Sequence, residues 1–397
     1  MDKRWVKFPE VLFFQEGPGV RNTQYTSEGV KLLNVANLVN GKVDISNSDR
    51  FISRDEAYGK YKHFLCDNGD FIVASSGIKV EYIDKKMGFI DKSMLPLCMN
   101  TSTIRFKVLN SKELNIRYFM YYLKSRHFKL QLAKQITGSA QLNYGPSHLK
   151  DMCLPIVDIY IQNNIVEILD KIQSIINICE AKIEKLDILV RARFVEMFGD
   201  VIHNDKVWEK HTVGSLCKEI YGGGTPSKSH PEYYESGDIP WVSSKDMKSD
   251  VLTDSQVKIN RLGLDNSTAK MVPMNSVIMV IRSGILKHTL PVAINAIPIT
   301  VNQDLKVFIP GERVLTRFLA VQFKMHEKDI LSGVRAVTAD NIEFDSLKQR
   351  ELIVPPIELQ HEYVFFLEQI DKSKFEVQRA LDKAQLLFDS LMQKYFR

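Results

Sequence analysis

The chain is short of the features that would place it in a specialised class. Its five cysteines (Cys66, Cys98, Cys153, Cys179 and Cys217) stand far apart, with no C-x-x-C pair. An odd count at wide spacing argues against both a disulfide framework and a zinc module, and leaves reduced, mostly structural thiols. The nine histidines form no H-E-x-x-H, and His203 and His211 lack a nearby cysteine, so no metal site is assigned. No run of about eighteen apolar residues occurs, which excludes a membrane-spanning helix. Met1-Asp2-Lys3-Arg4-Trp5-Val6-Lys7-Phe8-Pro9 has no apolar signal core, and a cytoplasmic protein is expected. A strong charge of one sign is missing too. Lys and Arg number 53 against 48 Asp and Glu, a net +5 that permits a polyanionic partner without demanding one.

Catalytic signatures are equally scarce. There is no G-x-x-x-x-G-K-[ST] phosphate loop, no G-x-G-x-x-G opening a helix after a strand, and no G-x-S-x-G elbow. Gly222-Gly223-Gly224-Thr225-Pro226-Ser227 lacks the Lys-Ser/Thr ending, and Pro226 removes an amide donor, so a glycine-rich turn is the better reading. Neither Asn-Pro-Pro-aromatic nor Asp-Pro-Pro-aromatic is present, the tetrapeptide with which adenine methyltransferases hold the target amino group. No carboxylate-plus-lysine nuclease cluster stands out. The expectation is a chain that catalyses nothing by itself.

What the sequence does have is a repeat. Its 397 residues, 44% apolar and 25% charged, allow two or three soluble domains. From Ile165 the apolar residues step by alternating fours and threes: Ile165, Leu169, Ile172, Ile176, Cys179, Ile183, Leu186, Val190, then Arg193 and Met197. The same seam returns as Tyr363, Leu367, Ile370, Lys374, Val377, Leu381, Ala384, Phe388, Leu391 and Tyr395, with a constant offset of 198 (165 to 363, 197 to 395). These are heptad a/d stripes with one charged intruder each, Arg193 and Lys374. Neither stretch contains Pro or Gly, so nothing breaks the helix. Thirty-three residues make a rod of roughly 50 Å, and an apolar stripe that long needs a partner helix. Its own repeat is the nearest candidate. Two unrelated helices on separate cores remain the alternative.

The segments before the helices echo one another as well. Cys153-Leu154-Pro155-Ile156-Val157 and Ile353-Val354-Pro355-Pro356-Ile357 read as extended segments turning into helix starts. Upstream, Val30–Leu38 parallels Ile239–Met247, and the strand-like Asp70–Gly77 parallels Ser276–Gly284. Each half therefore reads as a mixed α/β globule of about 150 residues followed by one long helix. The aromatic and basic run Arg117–His127, and its counterpart Arg317–Phe323, fit one buried helix face better than a nucleic-acid stacking surface.

Two globules, each followed by a helix that repeats the other, resemble the specificity subunit of type I restriction-modification systems. The string Gly222–Ser227 followed by Gly237-Asp238-Ile239-Pro240-Trp241-Val242-Ser243-Ser244-Lys245-Asp246-Met247 looks like the start of that family's target-recognition domain. The turns at Pro155 and Pro355 look like its transitions into the conserved spacer helices. The first half carries Glu16-Gly17-Pro18-Gly19-Val20 in place of the glycine string, a divergence expected of recognition domains. The resemblance implies an α+β fold of two mixed α/β target-recognition domains in pseudo-two-fold repeat, separated by two long helices forming an antiparallel intramolecular coiled coil. The expected divisions are recognition domains at 1–156 and 201–356 and spacer helices at 157–200 and 357–397. Each globule would read one half of a bipartite double-stranded DNA target. Two modification (methyltransferase) subunits carrying S-adenosylmethionine would dock on the helices, and restriction (translocase-nuclease) subunits using ATP and Mg would join. No cofactor is expected in this chain.

Phosphate contacts position a protein on DNA, and base-edge contacts specify. Candidate readers therefore belong on polar and basic loops at strand ends. In the first half these are Ser75, Ser76 and Lys79, with Gln141, Asn143 and Tyr144 of the Thr137–Tyr144 segment. In the second they are Ser243 and Lys245, Arg282, Ser283 and Lys287, and Arg335 of Ser332–Arg335. Gln141 and Asn143 have amide forks suited to adenine, whereas Arg282 and Arg335 suit guanine or phosphate. Two other classes stay open: a self-contained methyltransferase or nuclease with atypical motifs, and a coiled-coil scaffold that selects no DNA sequence.

Overall fold

A computed structural model describes residues 3–47, 49–135, 143–333, 335–336 and 340–397. The chain divides into two compact units, Met1–Glu180 with Arg379–Arg397, and Ala181–Gln378.

In the first unit the run Phe71-Ile72-Val73-Ala74 is buried on both faces, as continuous β-branched and aromatic strands are. It is an inner strand of an antiparallel four-stranded sheet ordered Leu12–Glu16, Thr103–Val108, Phe71–Ala74, Met87–Phe89. Helix α1 (Ile116–Lys124) is capped by Asn115, whose side chain accepts the Arg117 amide at 2.8 Å. It buries Tyr118, Phe119, Tyr121 and Tyr122, with Phe119 edge-on to Phe71. The aromatic run is thus core. A smaller sheet sets Val30–Leu33 between an antiparallel Phe51–Ile52 and a parallel Leu97–Met99, and Arg4–Lys7 pairs antiparallel with Cys153–Ile156. The chain then enters helix α2 (Ile159–Phe198).

The second unit repeats this strand order and adds one strand to the larger sheet. Cys217–Gly222, Leu305–Pro310, Val277–Val280 and Val292–Asn295 follow in the same antiparallel order, extended by a parallel Val251–Leu252. Ile239–Val242 lies between an antiparallel Lys258–Ile259 and a parallel Thr300–Val301. Lys210–Thr212 pairs with Glu351–Ile353. Helix α3 (Thr316–Met325) buries Phe318, Leu319 and Phe323, and helix α4 (Ile357–Phe396) ends the chain.

Helices α2 and α4 each run 40 residues, about 60 Å, longer than their periodic stretches alone. In the first unit Ile165, Leu169, Ile172 and Ile176 share a core with Ala384, Phe388, Met392 and Tyr395. In the second, Phe194 and Phe198 pack on Tyr363 with ring centroids 5.4 and 5.5 Å apart. There Tyr363 donates to the Val190 carbonyl at 3.1 Å, Arg193 to Glu362 at 2.8 Å, and Lys374 to Asp187. Partners that rise along one helix fall along the other, so the pairing is antiparallel. Both charged intruders in the seam thereby face a carboxylate. Ile183, Leu186 and Val190 are only half-buried, because a seam shared by two helices covers part of each side chain.

One buried residue at each helix start ties helix to globule. Gln162 donates to the Val157 and Glu113 carbonyls, both at 2.8 Å, and accepts the Asn115 amide at 3.0 Å. Gln360 donates to Pro355 at 2.9 Å and Arg313 at 3.0 Å, and accepts the Leu315 amide at 3.0 Å. These glutamines stand 198 apart, as the seam does, and neither is exposed.

Candidate nucleic-acid interface

In the first unit the strand Phe71–Ala74 ends at Ser75. Its amide donates to the Ser102 carbonyl (2.8 Å), its hydroxyl to Glu16 (3.2 Å), and its carbonyl accepts the Tyr144 amide (2.9 Å). The buried Tyr144 hydroxyl donates to the Ala74 carbonyl at 2.9 Å. Ser76 then forms an antiparallel bridge with Asn143. The two candidate segments are therefore stitched together at the strand end. Ser75 and Tyr144 are the buried stitches, Ser76 is half-buried, and Asn143 and Lys79 are exposed. Gln141 lies outside the described residues. Beside Lys79 is an open depression of about 390 Å³ lined also by Tyr82, Lys85 and Lys86. Tyr82 is 52% exposed, and the Lys85 ammonium sits 5.6 Å from its ring centroid. Sequence pattern pointed to Lys79 alone, whereas Lys85-Lys86 follow it at the far end of the 3-10 helix Val80–Lys85.

The second unit makes the same stitch. After Val277–Val280, the Ile281 amide donates to Asp304 and its carbonyl accepts the Ile342 amide, both at 2.9 Å. Arg282 bridges Asn341, the residue 198 positions after Asn143. Asn341 pairs on its other side with the backbone of Arg335, so that candidate strand joins the same place. Arg282 and Lys287 are exposed, and the Ser283 hydroxyl accepts the Ile285 amide at 3.5 Å. Ser243 donates amide and hydroxyl to Asp246, both at 2.8 Å, which folds a turn with Lys245 exposed upon it.

Three residues the sequence reading missed gather near Arg282. Lys306 faces Met279 on one neighbouring strand and Gly222 on the other. Its ammonium lies 4.3 Å from the Phe344 ring centroid, and Lys348 lies 4.8 Å from the same ring. Lys348 also donates to the exposed Asp345 at 2.7 Å. Burial, and then the nearby charges of Lys348 and Arg282, push the Lys306 ammonium below the ordinary lysine range. Phe344 and Lys348 share a helix face at i, i+4, a signal the sequence offered. Lys306 reaches them only through strand register, which it did not.

The glycine string is a close crossing. A Cβ at Gly223 would stand 1.9 Å from the Val301 oxygen, and one at Gly224 would stand 2.3 Å from Thr268. The Gly224 amide donates to Val301 and its carbonyl accepts Trp241 Nε1, both at 3.0 Å. Its polar groups are engaged within the fold, in keeping with a structural turn. Among the described residues, no group of three His, Cys, Asp or Glu is placed to hold a metal, and no helix is long and apolar enough to cross a membrane. Amide, hydroxyl and cationic groups at two stitched strand ends suit polyanion contact and base-edge hydrogen bonding.

A sequence model described as "Type I restriction modification DNA specificity domain" matches the chain twice, over residues 25–187 and 205–385. The chain belongs to that family. It is 34% identical over 215 residues to the type I restriction enzyme EcoR124I/EcoR124II specificity subunit of Escherichia coli, covering 53% of this chain and 52% of that protein. It is 28% identical over 174 residues to the MjaIX specificity subunit of Methanocaldococcus jannaschii, covering 42% and 38%. The chain spans at most about half the length of these relatives. The fold matches the crystal structure of the type I restriction-modification S subunit from M. genitalium over 100% of this chain and 96% of that one, with a TM-score of 0.61 at 15% identity. A chain from a structure of the type I R-M system matches at a TM-score of 0.55, with 15% identity and coverage of 100% and 97%.

Proposed function

We propose that this chain is the DNA specificity subunit of a type I restriction-modification complex and is not itself an enzyme. Each unit reads one half of a bipartite double-stranded DNA target, through the strand-end loops at Ser76, Lys79 and Asn143 and at Arg282, Ser283 and Arg335. Helices α2 and α4 set the spacer between half-sites and dock two modification subunits, which carry S-adenosylmethionine and methylate the target. Restriction subunits with ATP- and Mg-dependent activity join that core, in the cytoplasm. The observation that carries the reading is duplication. In both units one loop is bridged to the end of an equivalent strand, Asn143 to Ser76 and Asn341 to Arg282, so one chain presents two different polar surfaces of like construction. A target read by two unlike surfaces need not be palindromic, unlike that of a symmetric dimer.

The test is selection from a randomised duplex pool by the full chain purified with modification subunits. A consensus of two dissimilar half-sites separated by a fixed gap is expected. A scaffold would enrich no such consensus, and S-adenosylmethionine turnover by the chain alone would overturn the non-catalytic assignment.

A further inference from the structure

We propose that the second unit grips the DNA backbone through Lys306 and Lys348, which receive phosphodiester oxygens beside the Phe344 ring, and that the matching place in the first unit has no such grip. The inference rests on the reading of the chain as a DNA specificity subunit.

Two ammonium groups, 4.3 and 4.8 Å from one ring centroid and close to a guanidinium, repel one another in the free protein. A neighbouring carboxylate, Asp345, is exposed and pairs with Lys348. Two neighbouring phosphodiesters bring one negative charge to each lysine, so each ammonium takes an oxygen of its own phosphate. Gly222 stands directly across from Lys306, and a Cβ there would come 2.7 Å from the ammonium nitrogen. Glycine at this position keeps the space beside the ammonium clear. Lysine is a flexible point charge, suited to phosphate rather than to the forked geometry of base edges.

The first unit fills the equivalent register otherwise. Ile104 faces Val73 and Glu16, where Lys306 faces Met279 and Gly222. The place of the open glycine is taken by Glu16, whose carboxylate accepts the Ser75 hydroxyl at 3.2 Å. Pro146 and Lys150 precede Phe344 and Lys348 by 198 residues, so of the ring and two lysines only the exposed Lys150 has a counterpart. Backbone contacts carry no sequence information, so loss of the grip weakens all duplexes alike.

The experiment measures the affinity of the full chain, with its modification subunits, for a selected duplex and a scrambled duplex between 50 and 200 mM salt. Each phosphate contact contributes about 0.9 to the slope of log affinity against log salt, so Lys306→Gln with Lys348→Gln should reduce its steepness by about 1.8. Across that fourfold salt range the variant then loses about twelvefold less affinity than the parent. The ratio of selected to scrambled binding stays unchanged, and Lys306→Arg with Lys348→Arg keeps the parental slope. An unchanged slope in the glutamine variant, or a fall in that ratio, would overturn the proposal. A slope change from Lys150→Gln equal to that from either single lysine would overturn the asymmetry. If the parent fails to prefer the selected duplex, the DNA-specificity reading itself is lost, whatever the slopes.

Discussion

Removing one heptad from each long helix should shorten the gap between half-sites without changing the half-sites. The structure says where to cut. Ile165–Ile176 and Ala384–Phe396 belong to the core of the first unit, and Phe194, Phe198, Tyr363 and Leu367 to that of the second. Deleting Ala181–Asp187 from α2 and Lys372–Gln378 from α4 touches neither set. It removes both members of the Asp187–Lys374 pair together, leaves Asp371 on Arg317, and keeps the a/d phase because seven residues are lost from each helix. Seven residues at 1.5 Å shorten each helix by about 10 Å, which equals about three base pairs at 3.4 Å each. Three base pairs also turn the duplex by about 100°, so affinity is expected to fall, and the readout is the spacer in the selected or methylated sequence. A deletion protein that still folds and still selects both half-sites, but at the parental spacing, would refute the role of the helices in setting distance.

Other outcomes follow from buried groups. Gln360→Leu leaves the Leu315 amide and the Arg313 and Pro355 carbonyls without their partner, and should cost about 2–4 kcal/mol in urea unfolding. Gln162→Leu should cost a similar amount, and a neutral result at both would contradict the assigned tie between helix and globule. Gly223→Ala drives a methyl into the Val301 carbonyl and should destabilise the protein by about 1–3 kcal/mol, read from the same curves. His326 is 4% exposed, and burial, followed by the charges of Arg350 and Lys210, holds its imidazole at about 4 against 6.5 when unfolded. The unfolded chain therefore binds a proton that the folded chain refuses. Stability should be full above pH 6.5 and decline toward pH 4 by up to about 3 kcal/mol. Urea midpoints between pH 7.5 and 4.5 measure this, and a His326→Phe variant with an undiminished pH slope would refute it.

What the sequence made legible was whatever depends on local spacing. The seam from Ile165 to Met197 and its copy from Tyr363 to Tyr395 follow from heptad period, and the buried face of α1 from Tyr118, Phe119 and Tyr122. The parallel between Val30–Leu38 and Ile239–Met247 appears in the fold as two strands each flanked by one parallel and one antiparallel neighbour. Roles set by distant partners were hidden. Ser75 and Tyr144 read as polar loop residues, yet they bond to Ser102, Glu16 and Ala74, which only the fold brings near. Lys306 lies 24 residues from Arg282 and 38 from Phe344, and strand register alone collects them. Gln162 and Gln360 sat three residues ahead of each seam at the seam's own offset, a signal available and unused.

The central claim is that each unit reads its own half of one split target. Mapping modified adenines across the genome of cells carrying either the parental chain or Arg282→Ala tests it directly. The account predicts a parental motif of two unlike half-sites at fixed spacing, and a variant motif in which one half is relaxed or lost while the other is intact. Equal loss at both halves, or a parental motif with no second half, would contradict it.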